Sequence, residues 1–249
     1  MVLVFAMARL IRIALTWLVV LAIAATFFFY ARDYIRRHPQ DVPWIALSLD
    51  HPIGIFTLRK LASLANEPAR CRALLSQAGA ADRPMPPRRD EADCGYDDGM
   101  LLAPAAGEAA FRPGGVIASC PVAAAWFLFD RDVLQPAAMR HFGSRVAEVR
   151  NAGSYSCRRL YGRAEGAYSL HASADAIDIL GFRLANGIEI SVRRDWRDPG
   201  AKGAFLDDVR DGACRLFATT LSPDYNAAHA DHFHLDHGHR GRTGFSVCR

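Results

Sequence analysis

The sequence contains no C-x-x-C pair, no internal repeat and no heptad array. The first absence excludes zinc-ribbon and thioredoxin-type sites, the second a solenoid or propeller, the third a coiled coil. The surplus of positive charge is small, +4 over 249 residues. That is too weak to argue for nucleic acid, and would suit an anionic wall or lipid headgroups. One stretch lacks charge altogether. Residues 13–31 read IALTWLVVLAIAATFFFYA, and nineteen residues at about 1.5 Å rise nearly cross a hydrocarbon layer of about 30 Å. A cleaved signal peptide is the competing reading. The run is long for one, and its end, TFFFYARDY, is bulky where a cleavage site wants small residues.

Arginines flank that span on both sides, Arg9 and Arg12 before it and Arg32, Arg36 and Arg37 after it. The positive-inside rule therefore does not favour an exported C-terminus. The cysteines point the other way. Six are dispersed at 71, 94, 120, 157, 214 and 248, an even set that suits disulfides in an oxidising compartment. Six separate buried thiols are the alternative. Six cysteines allow 15 pairings. Chain order suggests Cys71 with Cys94, Cys120 with Cys157, and Cys214 with Cys248.

The division expected is a flank at 1–12, a transmembrane helix at 13–31, a juxtamembrane connector with short helices at 32–70, and a domain at 71–249. From the connector into the domain, Leu58, Leu61 and Leu64, then Leu74 and Leu75, predict short helices interrupted near Pro68. Residues 81–99 are rich in proline and charge and read as a loop. Pro121 suits a first helical turn, Gly143 a stop, and Pro136 divides the helix between them. Two β-rich runs flank Asn186-Gly187, a tight-turn pair. Phe205, Val209, Ala213 and Phe217 lie four apart, one face of a helix. The fold class expected is α+β, a small antiparallel sheet with flanking helices behind one N-terminal transmembrane helix.

What is abundant is histidine in one place. HADHFHLDHGH, residues 229–239, holds five of the nine. Upstream, SLHASADAIDI places His171 seven positions before Asp178, an acidic residue inside an apolar strand. Such a carboxylate is costly unless paired or metal-bound. Two imidazoles and a carboxylate from separate segments suit a catalytic zinc site, with a fourth position left for water.

The motifs CPVAAAW, QPAA, GSYSCR, HASADAIDI, GACRLF and AHADHFHLD, in this order, resemble the bacterial extensin-like C-terminal domain family. Those motifs in turn are similar to the zinc metallopeptidases of the lysostaphin, D-Ala-D-Ala peptidase and hedgehog group. Their pattern is S-x-H-x(6)-D, then a histidine with an acidic residue three before it. Ser169, His171 and Asp178 fit the first part, Asp231 and His234 the second. The resemblance implies that His171, Asp178 and His234 hold one Zn2+, and that Asp231 takes a proton from water and returns one to the leaving amine. It implies that Arg158 stabilises the oxyanion or grips a carboxylate, and that His232 orients the site or bonds the intermediate. Ala174 stands where the peptidase pattern prefers glycine, and Leu170 where relatives often carry an acid. On a regular strand His232 and His234 share a face, so Asp231 serves as base only if it precedes the strand or sits on a bulge.

Asp236, His237 and His239 read as a solvated end of the stretch, and His229 as site rim or plain surface. The basic run around Arg158 reads as a solvated loop, and Trp126, Phe127 and Phe129 as core. Two functions follow. One is a membrane-anchored periplasmic zinc peptidase or amidase-type hydrolase, single-pass in the inner membrane and acting on peptidoglycan peptides. The other is a non-catalytic envelope module that binds wall material, with a structural or vestigial metal. The serine- and proline-rich repeats of plant extensins are absent, so the family's name carries no mechanism.

Overall fold

A computed structural model describes residues 2–91, 93–104, 108–238 and 246–249. It opens with helix α1 (Val2–Arg37). Within its stretch Arg9–Arg37 the most apolar 18-residue window has a mean hydropathy of 2.3, and none of that window is buried. By length and composition it could be a membrane anchor or a signal sequence. The expected span at 13–31 lies within it.

After a short 3-10 turn at Pro39–Asp41 come α2 (Thr57–Ser63) and α3 (Pro68–Gln77). Pro68 sits in the first turn of α3, where its missing N–H breaks no bond. Leu47, Leu49, Leu61 and Leu64 are buried in the same core cluster as Phe129 and Phe182. The packed body therefore extends N-terminally of Cys71.

The stretch expected as a loop carries small strands. β1 (Arg83–Pro84), β4 (Gly99–Leu101) and β6 (Ile117–Ser119) form one sheet, and β2 (Arg88–Glu91) pairs β3 (Cys94–Tyr96). Proline count hid them because such short edge strands tolerate proline. Pro84 lies on β1, which among the described residues pairs with β4 alone.

Helix α4 (Cys120–Phe129) continues through a π-helical turn, Asp130–Leu134, into α5 (Gln135–Phe142). The interruption expected from Pro136 falls in that turn. A proline lacks the N–H and crowds the carbonyl four residues back, and the helix widens to relieve this. Gly143 ends α5 in the left-handed region, φ 59°. The nearly all-buried α4 carries Trp126 and Phe129 into the core, as expected.

The main sheet holds β5 (Ala110–Arg112), β7 (Val146–Gly153), β8 (Ala176–Leu184), β9 (Glu189–Ser191), β10 (Thr219–Leu221), β11 (Phe233–Asp236) and β12 (Val247–Cys248). Its order is β12-β10-β11-β8-β7-β5, with β9 also on β8. The centre is antiparallel, as expected, while β5–β7 and β10–β12 are parallel. The β8–β9 hairpin turns at Asn186-Gly187, with Gly187 at φ 88°. Its second run pairs over only three residues, then winds into α6 (Val192–Asp195). Helix α7 (Ala201–Ala213) buries Phe205, Leu206, Val209 and Ala213 on one face. Phe205 meets Phe182 of β8 edge to face, ring centroids 5.4 Å apart.

Three disulfides join Cys71–Cys120, Cys94–Cys157 and Cys214–Cys248. Chain order is right for the last alone. It fails for the others because α3 packs on α4, bringing Cys71 to Cys120, while Cys94 of β3 meets the loop after β7.

Candidate metal centre

Three segments meet beside β8. A 3-10 turn at Leu170–Ser173 carries His171, and its first N–H groups are capped by the Ser169 side chain, which accepts from His171 N at 3.3 Å. The turn closes on Ala174 at φ 59°, fully buried. A left-handed residue is required there to swing the chain into β8, which is why glycine would be favoured at this position.

On β8, Ile177 and Ile179 enter the core and Asp178 points to the opposite face. Directly across the ladder from Asp178 stands His234 of β11. The three side chains converge. His171 Nε2 lies 3.1 Å from Asp178 Oδ2. His234 Nδ1 lies 2.9 Å from Asp178 Oδ1 and 3.3 Å from His171 Nε2. One ligand atom from each falls within 4.8 Å of the others. Among the described residues this is the one such group.

Both imidazoles are held from behind. His171 Nδ1 donates to the Ser154 carbonyl at 2.6 Å, which leaves Nε2 as the nitrogen that faces Asp178. His234 Nε2 donates to Asp236 Oδ2 at 3.3 Å, which assigns Nδ1 to the centre. Carbonyl and carboxylate partners of this kind fix the tautomer of a metal-ligating histidine.

Burial alone would raise the Asp178 carboxyl. Hydrogen bonds from His171 and His234, and their charge, instead hold it well below the usual carboxylate range. Burial would lower His234, but Asp178 and Asp236 raise it to about 9. A buried anion thus sits between two imidazoles whose Nε2 and Nδ1 face it; a bound metal would displace the proton that His234 shares with Asp178, and the nitrogen–nitrogen–oxygen donor set then fits zinc.

The centre opens into a cavity of about 730 Å3, lined also by Arg158, Tyr161, Tyr168, Tyr225, His229 and His232. Arg158 Nη2 comes 4.0 Å from Asp178 Oδ2, and the side chain is 46% exposed. His232 Nε2 is 3.6 Å from Asp178 Oδ1, while its Nδ1 donates to Asp231 Oδ1 at 2.8 Å. Asp231 does precede the strand, as a catalytic base would require. Its carboxylate is nevertheless turned to His232 and half exposed, and it is not among the residues lining the cavity. His229 belongs to the cavity, its Nδ1 held by Asn226 Oδ1 at 2.8 Å. Burial, with the positive charge of His232 and His234, pushes it down to about 4.

The solvated end expected at Asp236 and His237 is instead buried, at 2% and 4% exposure. Asp236 shares the face of His234 and braces it. His237 points the other way and packs on Phe217, centroids 5.6 Å apart. His239 lies outside the described residues. Sequence reasoning missed Asp236 and the Ser154 carbonyl. The first was signalled by the same alternation that joins His232 to His234, and the second, a backbone group, left no signal.

The model of the family described as Extensin-like protein C-terminus matches residues 69–249. In comparisons with curated proteins and with solved structures, none matches the chain.

Proposed function

The chain belongs to the extensin-like protein C-terminus family, and on that footing we propose that it is a membrane-anchored, zinc-dependent peptidase acting on peptidoglycan peptides in the periplasm. The observation that carries this reading is the convergence of His171, Asp178 and His234 at the floor of an open cavity. The ordered S-x-H-x(6)-D and D-x-x-H spacing supports the peptidase class. Three disulfides support an oxidising compartment, and α1 supports anchoring in the inner membrane.

A zinc ion held by His171, Asp178 and His234 would supply Lewis acidity toward a carbonyl and acidify water. The chain's own groups do the rest. Arg158 reaches over the Asp178 side of the centre and is free to donate to a substrate oxygen bearing negative charge. His232 presents Nε2 to the centre and carries the proton traffic, because Asp231 engages only its Nδ1. Asp231 therefore orients His232 and does not act on substrate itself. Ser154 and Asp236 keep the ligand imidazoles aligned.

One geometric observation favours a second reading. With Nε2 at 3.6 Å from Asp178, His232 is near enough to serve as a fourth ligand. A site closed by four protein groups would be structural, and the protein a wall-binding module. The two readings separate on one variant. Removing His232 leaves zinc stoichiometry intact in the enzyme and lowers it in the module.

The direct test incubates the zinc-loaded full chain with purified muropeptides and identifies products by mass spectrometry. Cleavage of peptide bonds that His171→Ala abolishes is expected. Intact muropeptides after prolonged incubation would overturn the proposal.

A further inference from the structure

The first turns of the body after α1 leave two large apolar side chains exposed, which the catalytic reading does not use. Trp44 is 77% exposed and Ile55 79%. Both stand on braced backbone. The Ile55 N–H donates to Asp41 Oδ1 at 2.8 Å. The buried Lys60 ammonium clamps the 3-10 turn through the Pro39 carbonyl at 3.0 Å and the Gln40 carbonyl at 3.3 Å. Arg215 Nη2 holds the Ile53 carbonyl at 3.1 Å. Beside Ile55 runs a groove of about 370 Å3 with Ile53 and Leu58 in its wall and Arg215 at its edge.

The segment that carries Trp44 continues directly from α1. His38 N bonds the Tyr34 carbonyl at 2.8 Å, and the two rings stack at 4.7 Å. Of the seven residues that follow Arg37 up to Trp44, three lie in the 3-10 turn. At about 3.5 Å per extended residue and about 2 Å per 3-10 residue, Trp44 lies within about 20 Å of Arg37. The apolar run ends near Ala31, and six further helical residues add about 9 Å. That roughly clears one headgroup layer. Tyr30 and Tyr34 with Arg32, Arg36 and Arg37 occupy this zone, an aromatic and cationic belt.

We infer that Trp44 and Ile55 dock the folded body onto the headgroup surface of the bilayer that α1 spans, with Arg215 facing anionic lipid. This rests on the reading of α1 as a membrane span. Tryptophan suits such a boundary because its ring is apolar and its N–H polar.

The test uses the full chain in liposomes of phosphatidylcholine and phosphatidylglycerol with brominated acyl chains. Trp126 and Trp196, at 7% and 8% exposure, are shielded inside the body. Trp17 reports insertion of α1. In a Trp17→Phe background the remaining quenching is expected to come from Trp44, to vanish in Trp17→Phe/Trp44→Phe, and to fall at least twofold on adding Ile55→Asp. Equal quenching of the single and double variants overturns the docking. So does quenching that ignores Ile55→Asp, since tethering alone would then explain it. If Trp17 of the wild-type chain is unquenched, the span itself is wrong and the docking falls with it.

Discussion

The Nδ1–H of His171 meets the carbonyl of Ser154 at 2.6 Å. Ser154 follows directly on β7, so the strand next to β8 determines which nitrogen of His171 faces Asp178. The imidazole is aligned by backbone, and its partner is not the Ser154 side chain. Removing the imidazole can. His171→Ala is expected to reduce bound zinc from about one per chain to less than a tenth, measured by elemental analysis after dialysis. Full retention of zinc would exclude His171 as a ligand.

Asp236 plays the equivalent part for His234 through its side chain. Asp236→Asn is therefore expected to weaken zinc binding about 10- to 100-fold while the fold persists. Competition against a chromophoric chelator reads the affinity, and far-ultraviolet dichroism reads the fold.

The pairing of Asp231 with His232 predicts unequal losses. His232→Ala should lower kcat by about 100-fold or more at unchanged zinc content. Asp231→Asn keeps a hydrogen-bond acceptor toward Nδ1 and should cost about 10-fold or less. A larger loss from Asp231→Asn than from His232→Ala would return the role of base to Asp231.

His237 makes stability depend on pH. No hydrogen bond of good geometry reaches its ring nitrogens among the described residues. Burial pushes its pKa down to about 4, opposed by Asp236 and the Leu216 backbone. The unfolded chain binds this proton from about pH 6.5 downward, the folded protein only near 4. The stabilisation is thus complete above pH 6.5 and is lost as pH falls toward 4, by about 3 kcal/mol in total. His237→Leu should flatten the melting temperature between pH 6.5 and 4. An unchanged slope would assign the acid sensitivity elsewhere.

Ala174 is wound into the left-handed region inside the core. Glycine adopts that region freely, at the cost of more backbone freedom in the unfolded chain. Ala174→Gly is expected to stabilise by about 0.5–1 kcal/mol, or about 1–4 °C in Tm. A fall in Tm would mean that the alanine methyl packs better than its backbone strains.

Punctuation and periodicity were legible in the sequence. Pro68, Pro121 and Gly143 mark helix ends where read, Asn186-Gly187 turns the hairpin, and the Phe205 face of α7 is buried. The convergence of His171, Asp178 and His234 was legible because their spacing is a motif. The cysteine partners of 71 and 94 were not, since pairing depends on which helices and loops pack together, and chain order carries none of that. The burial of Asp236 and His237 was hidden by their polarity. Asp236 is inside because His234 needs a partner, and His237 because an alternating strand sends every second residue toward the core. The short strands at 83–101 were hidden by proline and charge, which edge strands accept.

Asp178 and His234 occupy one rung between β8 and β11. Shifting β11 by a single place would turn His234 to the far side and offer Phe233 or Leu235 to the cation in its stead. Only a correctly threaded chain can grip an ion, and a gripped ion would in turn rivet the two central strands in alignment. Metal capture at this rung would therefore also proofread the chain's own assembly.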